Sequence, residues 1–111
     1  MAESTNDTYD SNKADIIRLK VNRANMIQTL KVDDDFLSSL MKLRLILYKD
    51  ASEIFQGRTD QEKARNLIDF LMTKKHTRKD WYIQFRNLLI EKNYKDTVTF
   101  LDSTIVKYKP K

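Results

Sequence analysis

The stretch Gln61-Glu62-Lys63-Ala64-Arg65-Asn66-Leu67-Ile68-Asp69-Phe70-Leu71 decides the fold class of this chain. Ala64, Leu67, Ile68 and Leu71 fall at i, i+3, i+4 and i+7, which makes one apolar stripe of an α-helix. Lys63, Arg65 and Asn66 fall off that stripe, toward solvent or a partner. Thr59 three residues before Glu62 forms a capping-box pattern, so the spacing predicts a helix from there to about Lys74 and Lys75, whose charges suit a carboxyl-terminal dipole. A second stretch, Leu19-Lys20-Val21-Asn22-Arg23-Ala24-Asn25-Met26-Ile27-Gln28-Thr29-Leu30, repeats the plan with Arg23 on the outside.

Composition points the same way. The 111 residues include one Gly, one Pro and no Cys. So little glycine argues against β-hairpins, whose tight turns need positive φ, and against a glycine-rich cradle for nucleotide phosphates. Without cysteine there are no disulfides, thiolate metal ligands or thiol nucleophiles, which fits a reducing compartment. No apolar run approaches the roughly 20 residues needed to span a bilayer. The first residues, Met1-Ala2-Glu3-Ser4-Thr5-Asn6-Asp7, are polar and acidic and do not read as a signal peptide. The expectation is one cytoplasmic, all-α domain, long enough for a single core.

Outward from the opening stretch, five more helices are expected. Residues 1–15 hold Glu3, Asp7, Asp10 and Asp15 with few large apolar groups and read as a disordered leader. A first helix should run from about Ala14 to Leu30, with Ile16, Leu19, Met26, Ile27 and Leu30 inward. Asp33-Asp34-Asp35 supplies a cap and first-turn negative charge for a second helix to about Leu45, burying Phe36, Leu37, Leu40, Leu43 and Leu47. Lys49 to Phe55 is a short third helix, closed by Gly57 as its left-handed C′ residue. A fifth starts at Thr77 or Arg78 and buries Trp81, Phe85, Leu88 and Leu89. A sixth runs from Tyr94 to Ile105 with Val98, Leu101 and Ile105 inward. Residues 106–111 read as the start of a linker. Six helices with short connections make a compact bundle.

The residues offer little for catalysis. His76 sits among Lys74, Lys75, Arg78 and Lys79, with no carboxylate beside it in sequence to orient it as a base, and reads as a solvated loop histidine. A zinc site would have to be built from this single His and carboxylates. No metal, cofactor or catalytic constellation is expected. The alternative from a different class is a basic helical nucleic-acid-binding module: net charge is +5, the sequence pI is about 9.4, and Lys74-Lys75-His76-Thr77-Arg78-Lys79 lies beside Trp81 and Tyr82. Against it, Trp81 fits the core stripe, and acids interrupt the basic residues near positions 33–35 and 50–53. Two helices with basic outer faces beside acidic runs suit a surface that meets another protein.

At this level the chain resembles a caspase recruitment domain, the CARD branch of the death-fold superfamily, over residues 16–105. Leu19-Lys20-Val21-Asn22-Arg23, Met26-Ile27 and Leu30 resemble the first CARD helix. Lys31-Val32-Asp33 followed by Phe36-Leu37 and Leu40 is similar to the second. Glu62-Lys63-Ala64-Arg65-Asn66-Leu67-Ile68-Asp69 resembles the fourth, and Trp81, Phe85, Leu88-Leu89 and Tyr94 resemble the fifth with its turn into the sixth. The resemblance implies a six-helix antiparallel bundle of Greek-key topology that is itself non-catalytic. A longer parent chain would carry any protease or nucleotide-sensing module. It also implies homotypic assembly, in which a basic face on the first and fourth helices meets an acidic face on the second and third helices of another CARD or of a second copy, head to tail as an open helical oligomer. Arg23 and Arg65 match the first- and fourth-helix arginines of initiator caspases, and Lys63 and Lys20 join them. Gln61 stands where those caspases can carry a further Arg. Asp33, Asp34, Asp50 and Glu53 match the acidic face. The pathway implied is apoptotic or innate-immune signalling, through an initiator caspase or its activating scaffold. No small-molecule substrate and no membrane are implied.

Overall fold

The computed structural model describes residues 11–76 and 78–106, among which there are seven helices and no strand. They are α1 (Ser11–Val21), α2 (Arg23–Thr29), α3 (Asp34–Lys42), α4 (Tyr48–Phe55), α5 (Asp60–Thr73), α6 (Trp81–Glu91) and α7 (Lys95–Ser103). α3 and α5 begin where a short polar side chain accepts an orphan amide. Asp33 accepts the Phe36 N–H at 2.9 Å and starts α3. Thr59 accepts the Glu62 N–H at 3.0 Å and starts α5. The Glu62 carboxylate reaches one residue further back than a standard capping box, to the Arg58 N–H at 2.8 Å.

The expected first helix is two, because Asn22 bends it. Its side-chain amide donates to the Arg18 carbonyl at 2.8 Å and to the Thr104 hydroxyl at 2.7 Å. Competition of this kind for backbone groups is why Asn is a poor helix interior. The backbone ladder continues across the bend, from Asn22 N–H to Arg18 and from Met26 N–H to Asn22. α1 starts at Ser11, so residues 11–15 of the expected leader are helical, and Ala14 is buried. Residues 1–10 of that leader and 107–111 of the expected linker lie outside the described residues.

The carboxyl ends depart most from expectation. α3 stops at Lys42 instead of Leu45, because Arg44 takes φ 62° and the Leu45 N–H closes back on the Leu40 carbonyl at 3.0 Å. That is a Schellman closure without glycine. It turns Leu45 and Ile46 into the core and puts Leu47, expected inside, at 62% exposure; Leu43 is only partly buried. Asn93 repeats the device at φ 74°, with Tyr94 N–H bonded to the Leu89 carbonyl at 2.8 Å. Gly57 does not have the expected positive φ. Its lack of a side chain serves close approach instead: a Cβ there would lie 2.8 Å from the Lys63 nitrogen, against the first turns of α5.

α5 occupies the centre. Ala64, Leu67, Ile68 and Leu71 are all fully buried, as their spacing predicts. α2 packs most closely on α5, with α1 and α4 also against it; α3 meets α4, and α7 meets α6 and α2. Trp81, Phe85, Leu88 and Leu89 of α6 are buried as expected, and Tyr82 joins them. Residue 77 is outside the described residues, but α6 begins only at Trp81, because Arg78 is engaged beforehand with Asp80 and the Leu43 carbonyl. Val98 and Leu101 face inward; Ile105, expected to follow them, is 79% exposed because α7 ends at Ser103.

In urea denaturation, Leu67→Ala should cost about 2–5 kcal/mol as a core deletion that leaves a cavity. Arg44→Gly should stabilise by about 1 kcal/mol through relief of a left-handed backbone. Gly57→Ala should destabilise despite its ordinary φ, since the new methyl meets backbone.

Candidate functional site

Arg23 opens α2, and the packing of α2 on α5 brings it to Asp69. Its Nε donates to Asp69 Oδ1 at 2.7 Å and its Nη2 to Oδ2 at 3.0 Å, a bidentate pair that matches the planar guanidinium to the carboxylate. Hydrogen bonding to Asp69 holds the Arg23 pKa above its usual value. Both side chains are more than a third exposed, so the pair sets orientation more than stability. Arg65 precedes Asp69 by four residues on the same helix and so stands one turn away. Arg23 is thus bonded to the carboxylate one turn along α5 from Arg65. Arg65 is exposed and has no hydrogen bond or ion pair among the described residues.

Of the other two basic candidates, Lys63 is turned away from Arg65. Lys63 and Arg65 are two residues apart, which puts them on opposite flanks of a helix. The Lys63 ammonium sits 4.0 Å from the centroid of the Phe55 ring, on the α4 side. Lys20 is exposed on α1.

The acidic candidates divide into two kinds. Asp50 is a correction: it is 8% exposed, and its Oδ2 accepts the Leu47 N–H at 2.9 Å to start α4. Asp33 is exposed but spends one oxygen on capping α3. Asp34 and Glu53 are exposed and carry no hydrogen bond or ion pair among the described residues. Asp34 borders a groove between α3 and α4 with Met41, Tyr48 and Phe55; Glu53 borders another between α4 and α5, with Asn66 and Asp69. The adjoining carboxylate Asp35 is bonded to Lys92, which holds its pKa below the usual range.

His76 is the second correction. The ring is half-buried, stacked on Trp81 with centroids 4.0 Å apart and planes 4° apart. Its Nε2 lies 2.8 Å from the Leu71 carbonyl, so the neutral ring donates its proton to the end of α5. Burial pushes its pKa below the usual value, with Lys74 nearby adding to the effect. The histidine is thus part of a helix end, and no group of side chains suited to a metal ion forms among the described residues. The surrounding basic run is broken up: Arg78 is bidentate on Asp80, and Lys74 lies 5.6 Å from the Phe70 ring centroid.

The described residues thus form an all-α bundle whose surface carries both paired and unpaired charges. The family model described as "Caspase recruitment domain" matches residues 18–104. The chain belongs to the caspase recruitment domain family. CARDs are non-catalytic interaction domains of the death-fold superfamily that act in signalling and bind other CARD or death-fold domains. No curated protein matches the chain. No helix among the described residues is long and apolar enough to cross a membrane.

His76 gives the domain a pH dependence with a definite sign. An unfolded histidine takes up its proton near pH 6.5, and the folded ring does so only at lower pH. Its stabilising contribution is present above about pH 6.5 and is lost as pH falls through the folded value. Thermal unfolding between about pH 7.5 and pH 5 should therefore fall more steeply for the wild type than for His76→Phe, which keeps a ring on Trp81 but cannot titrate.

Proposed function

We propose that this CARD recruits another CARD, and a second copy of itself, through a charged head-to-tail contact. Arg65, with Arg23 beside it on the α2–α5 seam, forms the donating surface. Asp34 and Glu53 on α3 and α4 form the receiving one. Lys20, on α1 three residues before Arg23, extends the basic side, while Asp33 and Asp50 keep their capping roles. In family terms α1 and α2 are one bent helix, which restores six helices in an antiparallel Greek-key bundle.

The observation that carries this reading is the state of Arg65. Arg18, Arg23, Arg78 and Arg86 are each bonded to a carboxylate of their own chain, whereas Arg65, like Arg44 and Arg58, is exposed with no side-chain bond or ion pair among the described residues, and of these three it alone lies within a helix, the one that α1, α2 and α4 pack against. A guanidinium held by a packed helix loses little orientation freedom when it meets a carboxylate, and its fork fits two oxygens at once. Desolvation at the centre of a contact is what makes such a pair count. Because the donating and receiving surfaces occupy different helices, the contact is heterologous and propagates as an open helix unless rotation closes it. Assembly then raises the effective concentration of any module joined to the CARD. The setting we propose is cytoplasmic apoptotic or innate-immune signalling, through an initiator caspase or its activating scaffold, on the strength of the Arg23/Arg65 match.

Arg65→Glu should weaken assembly or partner binding by about 2–5 kcal/mol with thermal unfolding nearly unchanged. Asp34→Arg in a mixed assembly should restore part of the loss, since coupling between the two reversals marks a direct pair. Added salt should slow association of the wild type more than of Arg65→Glu. Intact assembly by Arg65→Glu, with loss on reversing Lys75 and Lys79, would put the recruiting surface elsewhere.

A further inference from the structure

A concavity of about 440 Å³ opens between α1, the start of α6 and α7, away from the α2–α5 seam. Asp15 and Arg18 line it from α1, Lys79, Tyr82 and Arg86 from in and just before α6, and Asp102 from α7. Tyr82 is 6% exposed, and its buried hydroxyl has no hydrogen-bond partner among the described residues. Buried polar atoms are almost always satisfied, because leaving one unpaired forfeits its hydration without return. This hydroxyl therefore marks a place where a partner belongs.

The neighbouring side chains indicate which partner. Arg18 is 28% exposed and has a guanidinium with five N–H donors, yet among the described residues its side chain makes one long bond, Nη1 to Asp15 Oδ1 at 3.2 Å. Its guanidinium carbon lies 5.9 Å from the Tyr82 ring centroid. Lys79 is exposed and has no hydrogen bond or ion pair among the described residues. It stands ahead of the first turn of α6, where the helix dipole adds positive potential. Arg86 is fixed in a bidentate pair with Asp102 at 2.8 and 2.6 Å. Burial pushes the Tyr82 hydroxyl pKa up to about 12, so it stays protonated as a donor. Three cations face two carboxylates, and the unspent groups are all donors.

We propose that this concavity binds a phosphate monoester dianion, held by Arg18 and Lys79, with the Tyr82 hydroxyl donating to one of its oxygens. A tetrahedral dianion has enough acceptors to satisfy donors arriving from two helices and a loop at once, and charge-assisted bonds to arginine are the strong ones. The site is independent of the recruitment surface and stands or falls separately from it.

The test is titration of the full chain with inorganic phosphate against sodium chloride of equal ionic strength. Amide NMR shifts should concentrate at residues 15–20, 79–86 and 102, and phosphate should raise the unfolding temperature above that in chloride. Tyr82→Phe removes only the unpartnered hydroxyl, so in chloride it should be as stable as the wild type or more so. In phosphate it should bind about tenfold more weakly, the loss expected for a hydrogen bond to a charged group. Arg18→Gln should weaken binding at least as much. A phosphoserine peptide run in parallel distinguishes the source: tighter binding of the peptide assigns a modified protein, tighter binding of inorganic phosphate a small metabolite, and both orders support the site. Shifts spread over Lys74, Lys75 and the other surface lysines, or a phosphate effect undiminished in Tyr82→Phe and Arg18→Gln, would overturn it.

Discussion

Burial of a single stripe, Ala64, Leu67, Ile68 and Leu71, is what the remaining helices arrange themselves around. α1, α2 and α4 all lie against α5, so each depends on that stripe for part of its own apolar cover. Both ends of α5 are fixed by local chemistry. Thr59 and Glu62 accept amides at its start, and Gly57 lets the chain pass close beside it. At the far end the Lys74 amide returns to Phe70, and His76 donates to Leu71. A helix held along its length and at both termini presents its off-stripe side chains at fixed positions. That is how Arg65 and Asp69 acquire a defined geometry without being buried.

Part of the surface charge in this domain is spent internally. Arg23 on Asp69, Arg78 on Asp80, Arg86 on Asp102 and Lys92 on Asp35 are bonded pairs, and three of the four join different elements of the fold. Exposed pairs add little stability each, but they decide which charges are left to meet something else. A net charge of +5 therefore says less about partners than the positions of the ions left over do. Arg65, Asp34 and Glu53 are among those ions. So is Lys79, beside the concavity that Tyr82 lines.

What was legible in the sequence is what depends on near neighbours. The α5 stripe, the Asp33 and Thr59 caps, and the Trp81, Phe85, Leu88 and Leu89 face all follow from spacings within one or two turns. The features that escaped depend on distant atoms or on residues in unaccustomed roles. Asn22 bends its helix with help from Thr104, 82 positions away. Arg44 and Asn93 take the left-handed conformation for which glycine is the sequence signal, while Gly57 is retained for clearance. Asp50 caps a helix whose first flanking residue is Leu47, a position with no capping signature. His76 has its partner five residues on, across a connection that periodicity does not describe. Lys63 is different, since its phase around α5 already set it apart from Arg65.

The bidentate pair between Arg23 and Asp69 bears on how this sequence can drift over generations. Replacing either residue alone leaves the other without its counter-ion at the seam between α2 and α5, so tolerated changes there should come as matched substitutions within one chain. Arg65 has no such internal companion. Under the proposed contact its counterpart lies on another molecule, and the two would have to change in step across separate genes, or across two surfaces of one gene where the chain assembles with itself. Patterns of paired substitution would then carry a record of which charges hold the domain together and which hold it to something else.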